Sequence, residues 1–151
     1  MKKFFAVFAL LALALVGCDP TDTPNTPNNP TVDTNIVGEW KLVEWNGETP
    51  TFVVYLDFNG DASFSIYQQV WTLYYELFEG SYGVNDDVIS GTYTDGSTWA
   101  SGYKYSIAGN TLTLTSKDNA SISSVYEKCT IPQEVIDEAT TTRSGEVLPI
   151  L

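Results

Sequence analysis

Residues 52–66 read FVVYLDFNGDASFSI, two runs of alternating apolar and polar side chains that meet at Asn59-Gly60. A period of two indicates a half-buried β-strand, and an Asn-Gly pair between two such runs predicts a β-hairpin. Apolar side chains at every second position share one face of each predicted strand: Phe52, Val54, Leu56 and Phe58 before the turn, and Ala62, Phe64 and Ile66 after it. The stretch predicts an antiparallel, all-β fold.

The same pattern extends in both directions from this hairpin, over residues 36–130. Turn-forming pairs such as Asn46-Gly47, Asp95-Gly96 and Gly109-Asn110 separate short segments rich in Val, Ile, Thr, Tyr and Trp. Eight strands are about the number that closes into a barrel holding side chains or one small ligand. We therefore predict an eight-stranded antiparallel up-and-down barrel, with strands near residues 37–46, 52–59, 62–70, 73–84, 88–94, 101–108, 110–116 and 121–130.

One part of this barrel has a second interpretation. Trp71, Tyr74, Tyr75 and Phe78 have the spacing of one face of a helix as well as lying in a predicted strand region. Aromatic and β-branched residues dominate here and no N-cap residue precedes the run, so the composition favours a strand. On a strand, the adjacent side chains of Tyr74 and Tyr75 point in opposite directions.

The C-terminal segment, residues 131–151, departs from the strand pattern. Pro132 is followed by QEVIDEA, and proline is well tolerated at the beginning of a helix. We therefore expect a short helix after Pro132. Residues 147–151 (VLPIL) are apolar, and two arrangements remain open: they pack on the barrel or they add an edge strand.

The N-terminus has the composition of a targeting segment. Two lysines precede an apolar run, residues 4–16, that is shorter than the roughly 20 residues of a membrane-spanning helix and fits a secretory signal. Leu15-Val16-Gly17-Cys18 resembles the lipobox of bacterial lipoprotein precursors; the alternative is an ordinary signal peptide with a chance cysteine. The resemblance implies that residues 1–17 are removed, that Cys18 is acylated, and that the protein is anchored in the cell envelope, at the outer membrane, facing the periplasm or the cell surface.

Residues 18–35 connect this anchor to the barrel and are rich in Pro, Thr and Asn. Such a composition buries too little apolar surface to fold, so we expect a disordered stalk. The domain order is then signal peptide, stalk, barrel over 36–130, and C-terminal segment.

Further motifs resemble a known family. Gly38-Glu39-Trp40 at the start of the first strand resembles the Gly-x-Trp motif of lipocalins, in which the tryptophan plugs one end of an eight-stranded barrel. Residues 91–96 (GTYTDG) and 109–114 (GNTLTL) are similar to segments of lipocalin-like domains in small lipoproteins of Gram-negative bacteria. The resemblance gives Gly38 and Trp40 a structural role. Lipocalins usually place an arginine against this tryptophan, and the corresponding strand here offers only Lys128.

Composition excludes several classes of function. The chain has no histidine, which removes Ser-His-Asp and Cys-His catalytic sites and the commonest zinc ligand. A net charge of −12 disfavours nucleic acid as a partner, because phosphates need a basic surface. With Cys18 acylated, Cys129 has no partner for a disulfide, and we expect it to act as a small apolar residue. We predict no enzyme activity, no metal and no cofactor.

The aromatic residues are the remaining functional signal. Most of them are expected in the core. Trp71, Tyr74, Tyr75, Trp99 and Tyr103 are candidates for ligand binding, Trp99 because it lies in a Gly/Ser/Thr-rich loop. Two hypotheses follow: the domain binds a small apolar molecule in the barrel mouth, or it recognises a glycan or a protein through exposed aromatic side chains. The extent to which side chains fill the interior distinguishes them.

Overall fold

The computed structural model describes residues 31–141 and 147–151. The predicted signal peptide, the predicted acylation site Cys18 and the predicted stalk up to residue 30 lie outside the described residues. No helix in the two described ranges is both long and apolar enough to span a bilayer.

The eight predicted strands are present and close into a barrel. Each strand pairs antiparallel with the next, and pairing of the last strand with the first completes the ring. This confirms the up-and-down barrel and is compatible with a lipocalin-like fold. The strands are β1 (Gly38–Trp45), β2 (Val53–Phe58), β3 (Ser63–Gln69), β4 (Glu76–Asn85), β5 (Val88–Tyr93), β6 (Tyr103–Ala108), β7 (Thr111–Ser116) and β8 (Ser123–Lys128).

The two ends of the barrel differ in the length of their connections. At one end, which we call the closed end, short turns at residues 59–62, 86–87 and 109–110 join the strands. At the other, the open end, the connections are longer loops, among them residues 70–75 and 94–102. Longer loops leave room for a binding site, so the open end is where the fold offers one.

Trp40 seals the closed end, as the family resemblance implies. Its indole N–H donates to the backbone oxygen of Ile36 at 2.8 Å, and both side chains are buried. The Lys128 ammonium lies 5.2 Å from the centre of the Trp40 ring, where a cation–π contact is favourable. Gly38 has a φ of +131°, and a Cβ there would lie 3.1 Å from Cε of Lys128. Both the backbone conformation and the lack of space therefore favour glycine at this position.

The chain joins the barrel earlier than the predicted boundary at residue 36. Thr31 accepts a backbone hydrogen bond from Val84, and the side chain of Val32 packs against the core. The Tyr105 hydroxyl donates to the Asp33 carboxylate at 2.7 Å. Residues 31–35 therefore belong to the folded domain.

Buried side chains from all eight strands fill the barrel interior. Aromatic rings meet edge to face in the middle of it: the ring centres of Phe58 and Tyr82 are 5.0 Å apart, and those of Phe64 and Trp99 are 5.1 Å apart. The interior set comprises Trp40, Leu42, Val54, Leu56, Phe58, Phe64, Ile66, Tyr82, Ile89, Tyr93, Trp99, Tyr103, Leu112, Leu114 and Tyr126.

Residues 70–75 form neither the strand nor the helix that their pattern suggested. β3 ends at Gln69 and β4 begins at Glu76, three residues later than predicted, and the segment between them is an irregular loop. Tyr74 and Tyr75 are consequently not neighbours on a strand.

The C-terminal segment forms the expected helix, α1 (Gln133–Glu138), directly after Pro132. Val135 of α1 is buried against Tyr55 on the outer wall of the barrel. A two-residue strand, β9 (Thr140–Thr141), then runs parallel to the beginning of β4. Residues 147–151 enter the open end, which resolves the open alternative in favour of packing on the barrel.

Candidate functional site

The loop of residues 70–75 exposes large apolar side chains at the open end. The exposed fraction is 70% for Trp71, 86% for Leu73 and 75% for Tyr74. Leu148, from the C-terminal segment, is 75% exposed, and its backbone oxygen accepts a hydrogen bond from the Trp71 indole at 3.3 Å. These four residues form what we call the apolar loop patch.

Two polar side chains bond the backbone of this loop. The Gln69 side-chain amide donates to the backbone oxygen of Leu73 at 2.6 Å, and the Thr72 hydroxyl donates to that of Tyr74 at 2.8 Å. These bonds brace the backbone of the loop. Contiguous apolar side chains on a protein surface mark interaction sites.

Behind the patch, residues 147–151 occupy the mouth of the barrel. The side-chain amide of Gln68 donates to the backbone oxygen of Leu148 at 3.1 Å and accepts from the backbone N–H of Ile150 at 3.0 Å. The Tyr93 hydroxyl donates to the backbone oxygen of Leu151 at 2.8 Å, and the Leu151 side chain belongs to the core. An extended peptide therefore lies in the position that the fold leaves for a ligand.

The polar residues of the mouth are buried. Gln68 has no exposed surface, and the nearby Glu76 is also buried. Burial, followed by the negative charge that a neighbouring Tyr103 phenolate would add, raises the pKa of Tyr93, so its hydroxyl stays protonated and able to donate at neutral pH. The mouth combines fixed hydrogen-bonding groups with apolar walls.

Two of the five predicted ligand-binding residues, Trp71 and Tyr74, lie together in the apolar loop patch. Tyr75 follows them in the same loop but packs against the buried cluster of Tyr55, Ile131 and Val135, with its ring centre 6.4 Å from that of Tyr55. It supports the outer wall of the barrel, beside α1.

Trp99 is buried, although its Gly/Ser/Thr-rich loop suggested that it would have little core to fill. Its side chain fills the barrel interior, where it contacts Phe64 and the buried Tyr103. The reason is Gly91, whose missing side chain leaves the space on β5 that the Trp99 ring takes. Trp99 and Tyr103 are core residues, and a shallow outer groove of about 480 Å³ beside them is lined mainly by Gly, Ser and Thr.

Sequence reasoning missed Leu73, Leu148 and Gln68. Leu73 and Leu148 carry no motif, and only their exposure identifies them. Gln68 did carry a signal, because it continues the inward-facing series Phe64, Ile66 of β3 with a polar side chain. A polar residue at an inward strand position needs a buried hydrogen-bonding partner.

We next consider nucleophilic and metal-binding side chains in the described part of the chain. Burial, with a smaller contribution from Glu39, raises the pKa of the Cys129 thiol, which disfavours the nucleophilic thiolate. Residues 31–141 and 147–151 contain no group of three or more Asp, Glu, Cys or His side chains placed to hold a metal ion.

The chain matches no protein-family model and no curated protein sequence. The closed eight-stranded barrel is compatible with a lipocalin-like fold, and fold alone does not assign a function. Function is therefore inferred from the open end of the barrel, where the apolar loop patch and the occupied mouth lie side by side.

Proposed function

We propose that this chain is a non-catalytic, lipocalin-like module of a bacterial lipoprotein that recognises a protein partner through the apolar loop patch. The main observation behind this proposal is that Trp71, Leu73 and Tyr74 are all exposed in one loop. Side-chain hydrogen bonds hold the backbone of that loop. Tryptophan and tyrosine are enriched among the residues that dominate binding energy in protein interfaces. A preorganised loop loses little entropy on binding.

Two features favour a protein over a glycan. Leu73, the most exposed of the three, offers no ring for stacking on a sugar. The Thr72 hydroxyl and the Gln69 amide, which would otherwise reach sugar hydroxyls, are engaged by backbone oxygens of the loop. A dry apolar surface suits another protein surface of the same kind.

The packed interior supports surface recognition over the transport of a small apolar molecule. Buried side chains from every strand occupy the volume that such a ligand would need. The Leu-Val-Gly-Cys sequence before residue 19 supports lipid anchoring at the outer membrane, and the acidic composition opposes adsorption of the domain to anionic lipid. The domain would then meet its partner in the space next to the membrane.

Site-specific photo-crosslinking tests this proposal. Tyr74 is replaced by a photoreactive phenylalanine analogue in the lipidated chain, and the crosslinked partner is identified from envelope fractions by mass spectrometry. The dissociation constant of the purified partner is then measured. Leu73→Ser and Trp71→Ala are each expected to weaken binding about tenfold or more. Ile136→Ser, a change of a partly exposed apolar residue on α1, is the matched control and is expected to leave affinity within about twofold.

Two results would overturn the proposal. Equal binding by Leu73→Ser and the unsubstituted protein would place recognition elsewhere on the domain. Crosslinks to saccharide alone would favour the glycan alternative.

A further inference from the structure

We propose that the open end of the barrel is a binding site for an extended apolar peptide, and that residues 147–151 of this chain occupy it as an internal ligand. This site goes beyond the proposed function, because it is centred on the mouth of the barrel; it shares Trp71 and Leu148 with the apolar loop patch and does not involve Leu73 or Tyr74. Four hydrogen bonds define the site, and each joins a side chain to the backbone of residues 147–151, which we call the tail. Gln68, Trp71 and Tyr93 contribute these side chains.

Gln68 recognises the tail as a neighbouring β-strand would. Its amide donates to the oxygen of Leu148 and accepts from the N–H of Ile150, two residues further along. A residue in a parallel sheet makes the same pair of bonds to its neighbour, accepting from one residue and donating to the residue two positions earlier. Strand addition of this kind is a common mode of peptide recognition, and it reads the backbone of an extended segment.

Because Gln68 is buried, its two hydrogen bonds to the tail contribute to binding. An amide without exposed surface is costly to leave without hydrogen bonds. Its only other hydrogen bond among the described residues is a long one, 3.5 Å to the Glu76 carboxylate. The tail satisfies both the donor and the acceptor of the Gln68 side chain, so a peptide in the mouth gives this inward polar position its shortest hydrogen bonds.

The side chains of the tail supply the apolar part of the recognition. Leu151 is buried in the core, and Ile150 packs partly against it. The Tyr93 hydroxyl fixes the backbone oxygen of Leu151, and the Trp71 indole fixes that of Leu148. The ligand class is therefore a short extended segment with aliphatic side chains at the positions of Ile150 and Leu151.

The tail can leave without opening the barrel. The ring of strands closes through the pairing of β3 with β4 and of β8 with β1, and the tail contributes to neither. In the described residues, no backbone-to-backbone hydrogen bond joins residues 147–151 to the strands. Release therefore breaks four hydrogen bonds from side chains to the backbone of the tail and the apolar contacts of Ile150 and Leu151, but no bond between strands. A segment of similar chemistry from another protein can take the same place.

Peptide titration of the full chain tests this inference. Ile150→Pro removes the N–H that bonds Gln68 and so weakens the internal ligand. A labelled peptide VLPIL, added to this variant, is followed by fluorescence anisotropy. We expect it to bind about tenfold more tightly than to the unsubstituted chain, where the internal tail competes. The control peptide VLPPL lacks the same N–H and is expected not to bind.

A second variant covers the case in which Ile150→Pro unfolds the domain. Leu151→Ala leaves the backbone groups of the tail intact and shortens its buried side chain, and it is expected to gain peptide binding in the same way. Circular dichroism verifies folding of both. Absence of VLPIL binding to either folded variant, or equal binding of VLPIL and VLPPL, would overturn the inference. Because no partner protein is present in this assay, its failure leaves the role of the apolar loop patch untouched.

Discussion

Gly91 shapes the barrel interior because it has no side chain. It occupies an inward position on β5, between the buried Ile89 and Tyr93, and the ring of Trp99 lies against it. A Cβ at this position would overlap the indole, coming within 2.7 Å of Cζ2. The small residue and the large one are therefore complementary, and together they bring a loop residue into the core.

Gly91→Ala is expected to destabilise the folded state by about 1–3 kcal/mol, because one added methyl group overpacks a filled interior. Urea denaturation measures the change. Gly60→Ala is the matched control, since a Cβ at Gly60 meets no atom within 4 Å. An equal effect of the two substitutions would contradict the packing of Trp99 against Gly91.

The position of Trp99 was not predictable from local sequence. A tryptophan in a Gly/Ser/Thr-rich loop carries no periodicity that assigns it to either face of a sheet. What determines its burial is Gly91, eight positions earlier on another element. Trp71 and Tyr74, in contrast, are exposed, and Tyr74 precedes the strand that was predicted to contain it, because β4 begins only at Glu76.

Among the secondary-structure elements, the turns show two backbone geometries. Asn46-Gly47 is a two-residue turn with φ of 53° and 85°, the left-handed geometry that this pair favours. The turn after β2 is longer than its Asn-Gly pair predicts, and its left-handed residue is Ala62, with a φ of 68°. The turn after β5 has the same hydrogen bonds with Gly96 at the equivalent position, at a φ of 88°.

Ala62→Gly is expected to stabilise the folded state by about 0.5–1 kcal/mol. Relief of the left-handed strain of alanine exceeds the added flexibility of glycine in the unfolded chain. Gly96→Ala, at the equivalent position, is expected to destabilise by a similar amount. Thermal unfolding of both variants measures this, and a loss of stability in Ala62→Gly would contradict the assigned turn geometry.

The helix α1 holds the C-terminal segment on the outer wall through one residue. Val135→Ala removes two buried methyl groups next to Tyr55, and we expect a loss of about 2 kcal/mol. Ile136→Ala on the same helix alters a side chain that is 38% exposed and is expected to cost less than about 1 kcal/mol. Chemical denaturation distinguishes them, and a larger loss for Ile136→Ala would contradict the packing of α1.

A bulge in β1 explains another difference between pattern and structure. Strict alternation gives Trp40 and Trp45 opposite faces. The register against β8 shifts between Leu42 and Glu44, so Trp45 pairs with the buried Ser124 and packs against the core beside Phe52. One extra residue in a strand moves each following side chain to the opposite face of the sheet. No residue type in this segment predicts the bulge.

For the whole molecule, buried tyrosines set the alkaline limit of stability. Burial, followed by the charge of Asp61, raises the pKa of Tyr82 to about 12. Burial also raises the pKa values of Tyr93, Tyr103 and Tyr126. A phenol whose pKa is higher in the folded state stabilises that state fully below its unfolded pKa of about 10, and the contribution is lost as pH rises through the folded value.

The free energy of unfolding is therefore expected to fall steeply between pH 10 and 12. Urea titrations across this range measure the slope. Tyr82→Phe removes one titrating group and its hydrogen bond to the oxygen of Asn59, so it is expected to lower stability at pH 7 and to flatten the alkaline slope. A slope unchanged by this substitution would contradict the burial of the Tyr82 phenol.

The barrel itself was predictable because most strands show alternating apolar and polar residues and most connections contain turn-forming residue pairs. The occupant of the mouth was not, because Gln68 and Ile150 meet across 82 positions of sequence. The tail carries only an apolar composition, which fits a core, an edge strand or a ligand equally. Contacts of that range follow from the closed fold rather than from any local pattern.

Native mass spectrometry of the purified protein, incubated with an envelope extract, tests the central claim most directly. The unsubstituted protein and Leu73→Ser are compared, and the mass of any adduct identifies its class. The account predicts an adduct of protein mass that Leu73→Ser loses, and no adduct of small-molecule mass. A small-molecule adduct that Leu73→Ser retains would contradict it and assign function to the barrel interior.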